Sequence, residues 1–268
     1  MNKTLLLIPH FNNQEGLIKS IHSINEGENI DVLVVDDGSF FDINEFQITE
    51  NFNAKGQIFF RYLNYNKGIE EALNYGLSIA FSMNYKYLAR LDCGDVCIGN
   101  RFKIQEEFLD KNSDIVLVGS YVNFVNKEGV MIHRLRLPTK DRFIRKKMYL
   151  NAMHIHPSIM FKLSIIKKIG VYPTKYKAAE DYAFFFKILK EFKVANLNRF
   201  LVSCEANNNG ISRKFRKEQI KSRIRIILDN FYFGIYPVYG LLRSLILYIT
   251  PNKVTESVKS IFCGKKTS

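Results

Sequence analysis

Leu5 to Ile8 is an unbroken apolar run that predicts a buried strand, and after the polar loop Pro9–Asn13 the residues Leu17, Ile18, Ile21 and Ile24 repeat at helical spacing. The alternation then continues. Ile30–Val35 predicts a second strand that stops at Asp36, Ile58–Leu63 a third, and Tyr87–Leu91 a fourth that runs into Asp92. Between them Ile69, Ala72, Leu73 and Leu77 give Gly68–Ala80 one apolar helical face, and a helix from Arg101 to Leu109 precedes a strand over Ile115–Val122. Strands alternating with helices at this spacing predict an α/β fold with a mixed, mainly parallel sheet flanked by helices.

The second half is less regular. Helices are predicted over Thr139–Tyr149, Leu163–Ile169 (stopping at Gly170), Asp181–Glu191 and Lys214–Asn230, and short strands over Ser158–Phe161 and Val194–Leu197. No Pro/Gly/Ser-rich linker separates the halves, so residues 1–212 read as one domain and 213–268 as a basic, aromatic extension. Within the extension Phe231–Thr250 is apolar, yet Pro237, Gly240 and Arg243 interrupt it, which argues against a spanning helix. Two placements stay open: an interfacial segment with tyrosines at headgroup depth, or a segment packed on the domain.

Composition narrows the class. With 268 residues and 47% hydrophobic positions the chain can bury a large core, and a net charge of +13 favours an anionic partner such as a nucleotide phosphate or an anionic membrane face. A nucleic-acid-binding protein would interleave basic and exposed aromatic residues; here the aromatics fall at apolar periodic positions and acidic clusters would oppose a phosphate backbone. Cys93, Cys97, Cys204 and Cys263 contain no C-x-x-C pair, which predicts no thiolate metal site and a reducing compartment. The apolar run before Pro9 is too short for a signal peptide.

Three acidic clusters carry the candidate chemistry: Asp36-Asp37 in VVDDGS, Asp92 and Asp95 in RLDCGD, and Glu180-Asp181 in AAEDY. The first two follow predicted strands, where α/β sheets bind ligands. A carboxylate there can accept from a nucleobase imide or a ribose hydroxyl, and Pro9, Phe11 and Asn12 leave the first strand beside it. Asn66, Lys67 and Gly68 open a helix whose N-terminal amides could face an anion. Arg90 and Arg101 flank the acidic loop as candidate partners of its carboxylates or of phosphate. His154 and His156, two residues apart with no third ligand, are a poor zinc signal.

The ordered set LLLIPHFNN, LVVDDGS, NKG, ARLDCGD, DIVLVGS, HPSIMF, and GVYP followed by AEDYAFFFKI resembles the inverting family 2 glycosyltransferases of GT-A fold, over about residues 3–212. The likeness is to bacterial members that build lipopolysaccharide, lipooligosaccharide or capsular chains. It implies a nucleotide-binding half over about 1–122 and an acceptor-binding half over about 123–212. It implies donor contacts from Pro9, Phe11, Asn12, Asp36 or Asp37, Asn66, Lys67, Gly68, Arg90 and Asp92. Asp92 matches the first aspartate of the family's Asp-x-Asp motif, Gly94 stands where the second is usual, and Asp95 matches a further aspartate. The resemblance therefore implies Mn or Mg at Asp92 and Asp95, with phosphate oxygens or water completing the sphere.

By the same resemblance Asp181 is the general base, Glu180 orients the acceptor, and His156, Arg213 and Lys214 are available to acceptor or diphosphate. The implied partners are a nucleoside-diphosphate sugar, UDP-linked in the first instance, and a saccharide or lipid-linked acceptor at the inner face of a bacterial cytoplasmic membrane. Two alternatives remain: another nucleotide-sugar enzyme, which HFNNQEG suits poorly as a phosphate loop, and a donor-binding member that has lost transfer, for which Gly94 is the hint.

Overall fold

The computed structural model describes residues 2–206 and 214–250. Nine described strands form one sheet in the order β3-β2-β1-β4-β8-β6-β9-β5, with β7 paired to β6. The N-terminal half is parallel: β1 (Thr4–His10) lies between β2 (Asp31–Asp36) and β4 (Tyr87–Arg90), and β3 (Ile58–Tyr62) edges β2. The C-terminal half is mixed. There β8 (Met160–Lys162) runs antiparallel to β4 and to β6 (Ile115–Val125), while β9 (Lys193–Glu205) runs parallel to β6 and antiparallel to β5 (Val96–Cys97); β7 is Met131–Leu135.

Alternation along the central strands builds two cores. Leu5, Leu7, Leu33 and Val35 face α3 (Ile69–Ser82) through Ala72, Leu73 and Leu77, and α7 (Glu180–Glu191) packs into the same layer through Phe184 and Phe185. Leu6, Ile8, Val32 and Val34 face the other way, onto Leu17 and Ile21 of α1 (Gln14–His22) and Phe102 of α4 (Arg101–Lys111). The central strands are buried on both faces, which is why they read as continuous apolar runs.

Several elements depart from the sequence expectation. Val194–Leu197 is the start of a thirteen-residue strand whose continuation carries Asn198 and Arg199, a polar interruption that hides it. Strands β5 and β7 and the helix α2 (Glu45–Glu50) are short or exposed and carry little apolar signal. The predicted helices over 139–149 and 163–169 shrink to α5 (Asp141–Lys147) and to a 3-10 turn with α6 (Ile166–Ile169). Two C-terminal helices follow, α8 (Arg216–Asp229) and α9 (Ile235–Ile249). Pro237 sits in the first turn of α9, where its missing N–H costs nothing, and so does not break the helix.

Candidate active site

The parallel register brings the C-terminal ends of β1, β2 and β4 together, with His10 opposite Asp36 and Leu7 opposite Arg90. A cavity of 600 Å³ opens there, lined by Pro9, Phe11, Asp37, Lys67, Lys177 and Lys214 among others. Asn66 and Gly68 also line it. The expected donor residues of the first strand, the second strand and the Asn-Lys-Gly turn thus share one space with Lys214 at the start of the extension; Arg213 lies outside the described residues. Phe11 is 41% exposed and meets Phe40 edge-on at 6.0 Å, leaving an aromatic surface at the rim. Glu70, Lys177 and Phe215 also belong to the lining and fall outside the recognisable motifs, as do Ile69 and Ala72 on the helix; Ala178, which opens AAEDY, lines it too.

The two aspartates after β2 have different partners. Asp36 is buried and accepts from Ser39 N (2.9 Å) and Ser39 Oγ (2.6 Å), with His10 Nδ1 2.6 Å away. It does not line the cavity. Asp37 does, and accepts from the amides of Lys67 (2.8 Å) and Gly68 (2.9 Å), so these amides, expected to face an anion, hold a protein carboxylate instead. Burial pushes the Asp37 carboxyl up, and those amides oppose the shift. Gly38 makes the turn possible: its φ is +68°, and a Cβ there would lie 2.3 Å from the Tyr65 carbonyl carbon. Asn12 sits outside the cavity lining, its amide donating to Ser39 Oγ and its side chain accepting from Phe40 N.

Asp92, expected as a donor contact, lies outside the lining of this cavity, with its side chain 46% exposed. Behind it Arg90 is fully buried and donates to Asp92 Oδ1 (2.7 Å), to Leu7 O (2.6 Å) and to His156 Nε2 (3.4 Å). Arg90 therefore meets no ligand directly and acts by fixing Asp92. His156 lies 2.8 Å from the Tyr172 hydroxyl, and burial together with the Arg90 cation holds its ring well below the usual imidazole range. A neutral ring accepting from Arg90 satisfies both groups. Arg101 touches no acidic side chain of the loop: it donates to Arg90 O, Ile159 O and Gln105 and joins β4 to the turn before β8.

Asp95 points inward and accepts from Glu205 N at 2.9 Å. Burial and the neighbouring Asp92 carboxylate push its carboxyl up. Direct ligation of a cation by Asp95 does not suit this placement. Among the described residues no three His, Cys, Asp or Glu are arranged to hold a metal ion. A hard cation still fits the donor chemistry at Asp92, which is 46% exposed and engages Arg90 through Oδ1, if the remaining oxygens come from a bound diphosphate and water. At Gly94, φ is +99° and the direction of a Cβ leads to Glu205 Oε2 at 3.7 Å, so a carboxylate from the end of β9 stands near the absent side chain. Lys19 pairs with that carboxylate at 2.9 Å.

Glu180 and Asp181 form the first turn of α7, two residues beyond the cavity-lining Ala178. Glu180 Oε2 is buried without a partner among the described residues, and burial followed by the Asp181 charge pushes its carboxyl up. Asp181 accepts from Tyr182 N at 2.6 Å; burial raises it too, and Asp92 adds repulsion at both acids. The acidic turn and the Asp92 loop thus share one electrostatic field. His154 is separate, buried against Asn196 at 2.8 Å, so the two histidines share no ligand position.

A model of the family described as "Glycosyl transferase family 2" matches residues 6–170. The chain belongs to that family. It is 28% identical over 185 residues to an uncharacterized glycosyltransferase of Methanocaldococcus jannaschii, covering 64% of this chain and 63% of that protein. It is 27% identical over 200 residues to the amylovoran biosynthesis glycosyltransferase AmsE of Erwinia amylovora, covering 71% and 72% respectively. Its fold is similar to that of S. aureus TarS in complex with UDP, with a TM-score of 0.66 at 17% identity over 94% of this chain and 73% of that one. The family 2 chain therefore has the GT-A architecture, and its cavity lies at the C-terminal ends of the parallel strands.

Proposed function

We propose that this family 2 protein transfers a sugar from a nucleoside-diphosphate sugar, UDP-linked in the first instance, to a saccharide hydroxyl by a single inverting displacement. The observation that carries the reading is the 600 Å³ cavity that joins Phe11, Asp37 and the cations Lys67 and Lys214, two residues from the acidic turn of α7. Phe11 offers a face for the base. Lys67, Lys177 and Lys214 offset diphosphate charge.

Asp181 takes the proton of the attacking hydroxyl, and Glu180, with an oxygen left unpaired, accepts a hydrogen bond from the acceptor sugar. Burial raises both carboxyls above the ordinary carboxylate range, as is common for groups at functional sites. Arg90 and His156 hold Asp92 in place. A Mn or Mg ion at Asp92 would supply further charge neutralisation to the leaving diphosphate. Asp95 supports that loop from behind through Glu205 N.

The acceptor is a growing cell-surface saccharide, lipid-linked and met at the inner face of a bacterial cytoplasmic membrane. The relative named for amylovoran biosynthesis and the basic, apolar C-terminal helices support this part. In that arrangement residues 1–212 carry transfer and 213–268 face the lipid. No helix among the described residues is long and apolar enough to cross a membrane.

Calorimetric titration of UDP, GDP and dTDP, each with Mn²⁺ and with EDTA, tests the donor reading. One nucleotide should bind, and Asp92→Ala should remove the metal-dependent part. Failure of all three to bind would overturn the reading.

A further inference from the structure

A second cavity, of 510 Å³, lies where α5, the C-terminal half of α7 and the α8–α9 junction meet. Its walls include the cations Arg142, Lys146 and Lys190 and the rings of Tyr149, Phe186 and Tyr232. Arg142 and Lys146 are four residues apart on α5 and so project from one side of that helix. Neither they nor Lys190 joins an ion pair among the described residues, whereas Arg145 between them is spent on Asp141 and on the carbonyls of Leu189 and Phe192. Lys190 feels the nearby Asp229 carboxylate, but Arg142 and Lys146 add to it a net positive charge around one opening, which attracts an anion.

The same cavity holds an unsatisfied acceptor. Asn230 lines it and donates through Nδ2 to Ile226 O at 2.6 Å, while its Oδ1 is buried with no partner among the described residues. A hydroxyl from a ligand would satisfy it. An anion carrying a hydroxyl matches both halves of the lining.

The neighbouring helix indicates where that anion comes from. On α9, Pro237, Gly240 and Ser244 are buried, and a Cβ at Gly240 would lie 2.2 Å from Tyr149 O, so this face is pressed onto the body. The opposite stripe, with Ile235, Val238, Leu242, Leu245, Ile246 and Ile249, is 42–82% exposed and carries no charge. Arg243 is turned back to donate to Leu150 O at 3.0 Å. At ~1.5 Å per residue this stripe is ~22 Å long, which suits lying along an interface. It starts beside Tyr232, a wall of the cavity.

We infer that the cavity takes the phosphodiester and hydroxylated headgroup of an anionic glycerophospholipid while the outer stripe of α9 lies in the acyl boundary. The inference deepens the membrane placement proposed above and rests on it, and is independent of the transfer chemistry. Arg142, Lys146 and Lys190 surround the phosphate, a headgroup hydroxyl donates to Asn230 Oδ1, and Tyr149 and Tyr232 sit at the polar boundary. A second copy of this chain is the poorer occupant, because it would bring the same cations against each other on a chain of net charge +13.

The test is co-sedimentation of the full chain with phosphatidylcholine vesicles, with and without about one-third phosphatidylglycerol. The expected result is binding that requires phosphatidylglycerol and falls about 100-fold in the triple variant R142E/K146E/K190E, at roughly one decade or less per cation. Ile246→Asp should weaken it independently, and soluble glycerol phosphate at millimolar level should not displace the protein. Equal binding to both vesicles, or wild-type binding by the triple variant, would overturn the inference. So would displacement by glycerol phosphate, which assigns the cavity to a soluble phosphate, or self-association in light scattering without vesicle binding. Circular dichroism confirms folding of each variant, with R142Q/K146Q/K190Q as the milder substitute. UDP titration on the same samples separates failure here from failure of the donor reading.

Discussion

The donor side of the site and the acidic turn of α7 are built on opposite principles. Around Asp36 and Asp37 the carboxylates are satisfied from within, by His10, Ser39 and the amides of Lys67 and Gly68. At α7 a buried Glu180 oxygen has no partner among the described residues, and Asp181 is held by nearby backbone amides, that of Tyr182 at 2.6 Å. The first arrangement fixes a shape before any ligand arrives. On the function proposed above, the second keeps its hydrogen-bonding capacity and its repulsion for a substrate, so damage to the two sides should register in different measurements.

The largest expected effect is on chemistry alone. Asp181→Asn should lower the transfer rate by about 10³-fold while UDP affinity and Tm stay near wild type, read by product formation and calorimetry. Loss of UDP binding in this variant would erase the contrast between the sides. On the satisfied side Asp36→Ala strips the buried His10 of its partner and Ser39 of its acceptor, and should cost about 3–5 kcal/mol of stability in urea denaturation. Gly38→Ala should cost about 2–4 kcal/mol, because strain at positive φ adds to the clash with Tyr65.

Acidity sharpens the comparison further. Asp95 and Glu180 are both pushed up to about 8, so the folded chain keeps protons that the unfolded chain releases near pH 4. The stability these two groups contribute is therefore fully present below the ordinary carboxylate range and is lost as pH rises toward about 8, so Tm of the ligand-free protein should decline between about pH 5 and 8. Asp95→Asn should flatten that decline. Smallest is Phe11→Ala, which should weaken nucleotide binding by about 1 kcal/mol in calorimetry with little change in Tm, because the ring is partly exposed at the rim.

The two sides were also unequally legible. Strands β1, β2 and β4 announce themselves because each is buried on both faces, and the residues that follow them fall at the cavity because a parallel register aligns their ends. Of the acidic clusters only Asp37 lines the cavity, and the division of labour among the acids is set by hydrogen bonds between residues distant in sequence. Nothing in VVDDGS tells that Asp36 turns to His10 while Asp37 turns to Lys67, or that Arg90 is sealed behind Asp92. Lys177, Ala178 and Phe215 enter the lining only because α7 and α8 start beside it, and Ala178, with φ of +57°, is in a conformation its residue type does not advertise. The apolar C-terminal segment shows the converse: its interruptions mark the buried face of α9, and its uninterrupted residues the exposed one.

Gly94 bears on how this chain could change. Placing aspartate there would point a carboxylate at Glu205 Oε2 and impose strain at φ +99°. Restoring the family's usual residue by one substitution should therefore be harmful in this background and become tolerable only with a change at Glu205. Positions 94 and 205, far apart in sequence and adjacent in space, are expected to show sign epistasis, read by combining Gly94→Asp with a substitution at Glu205.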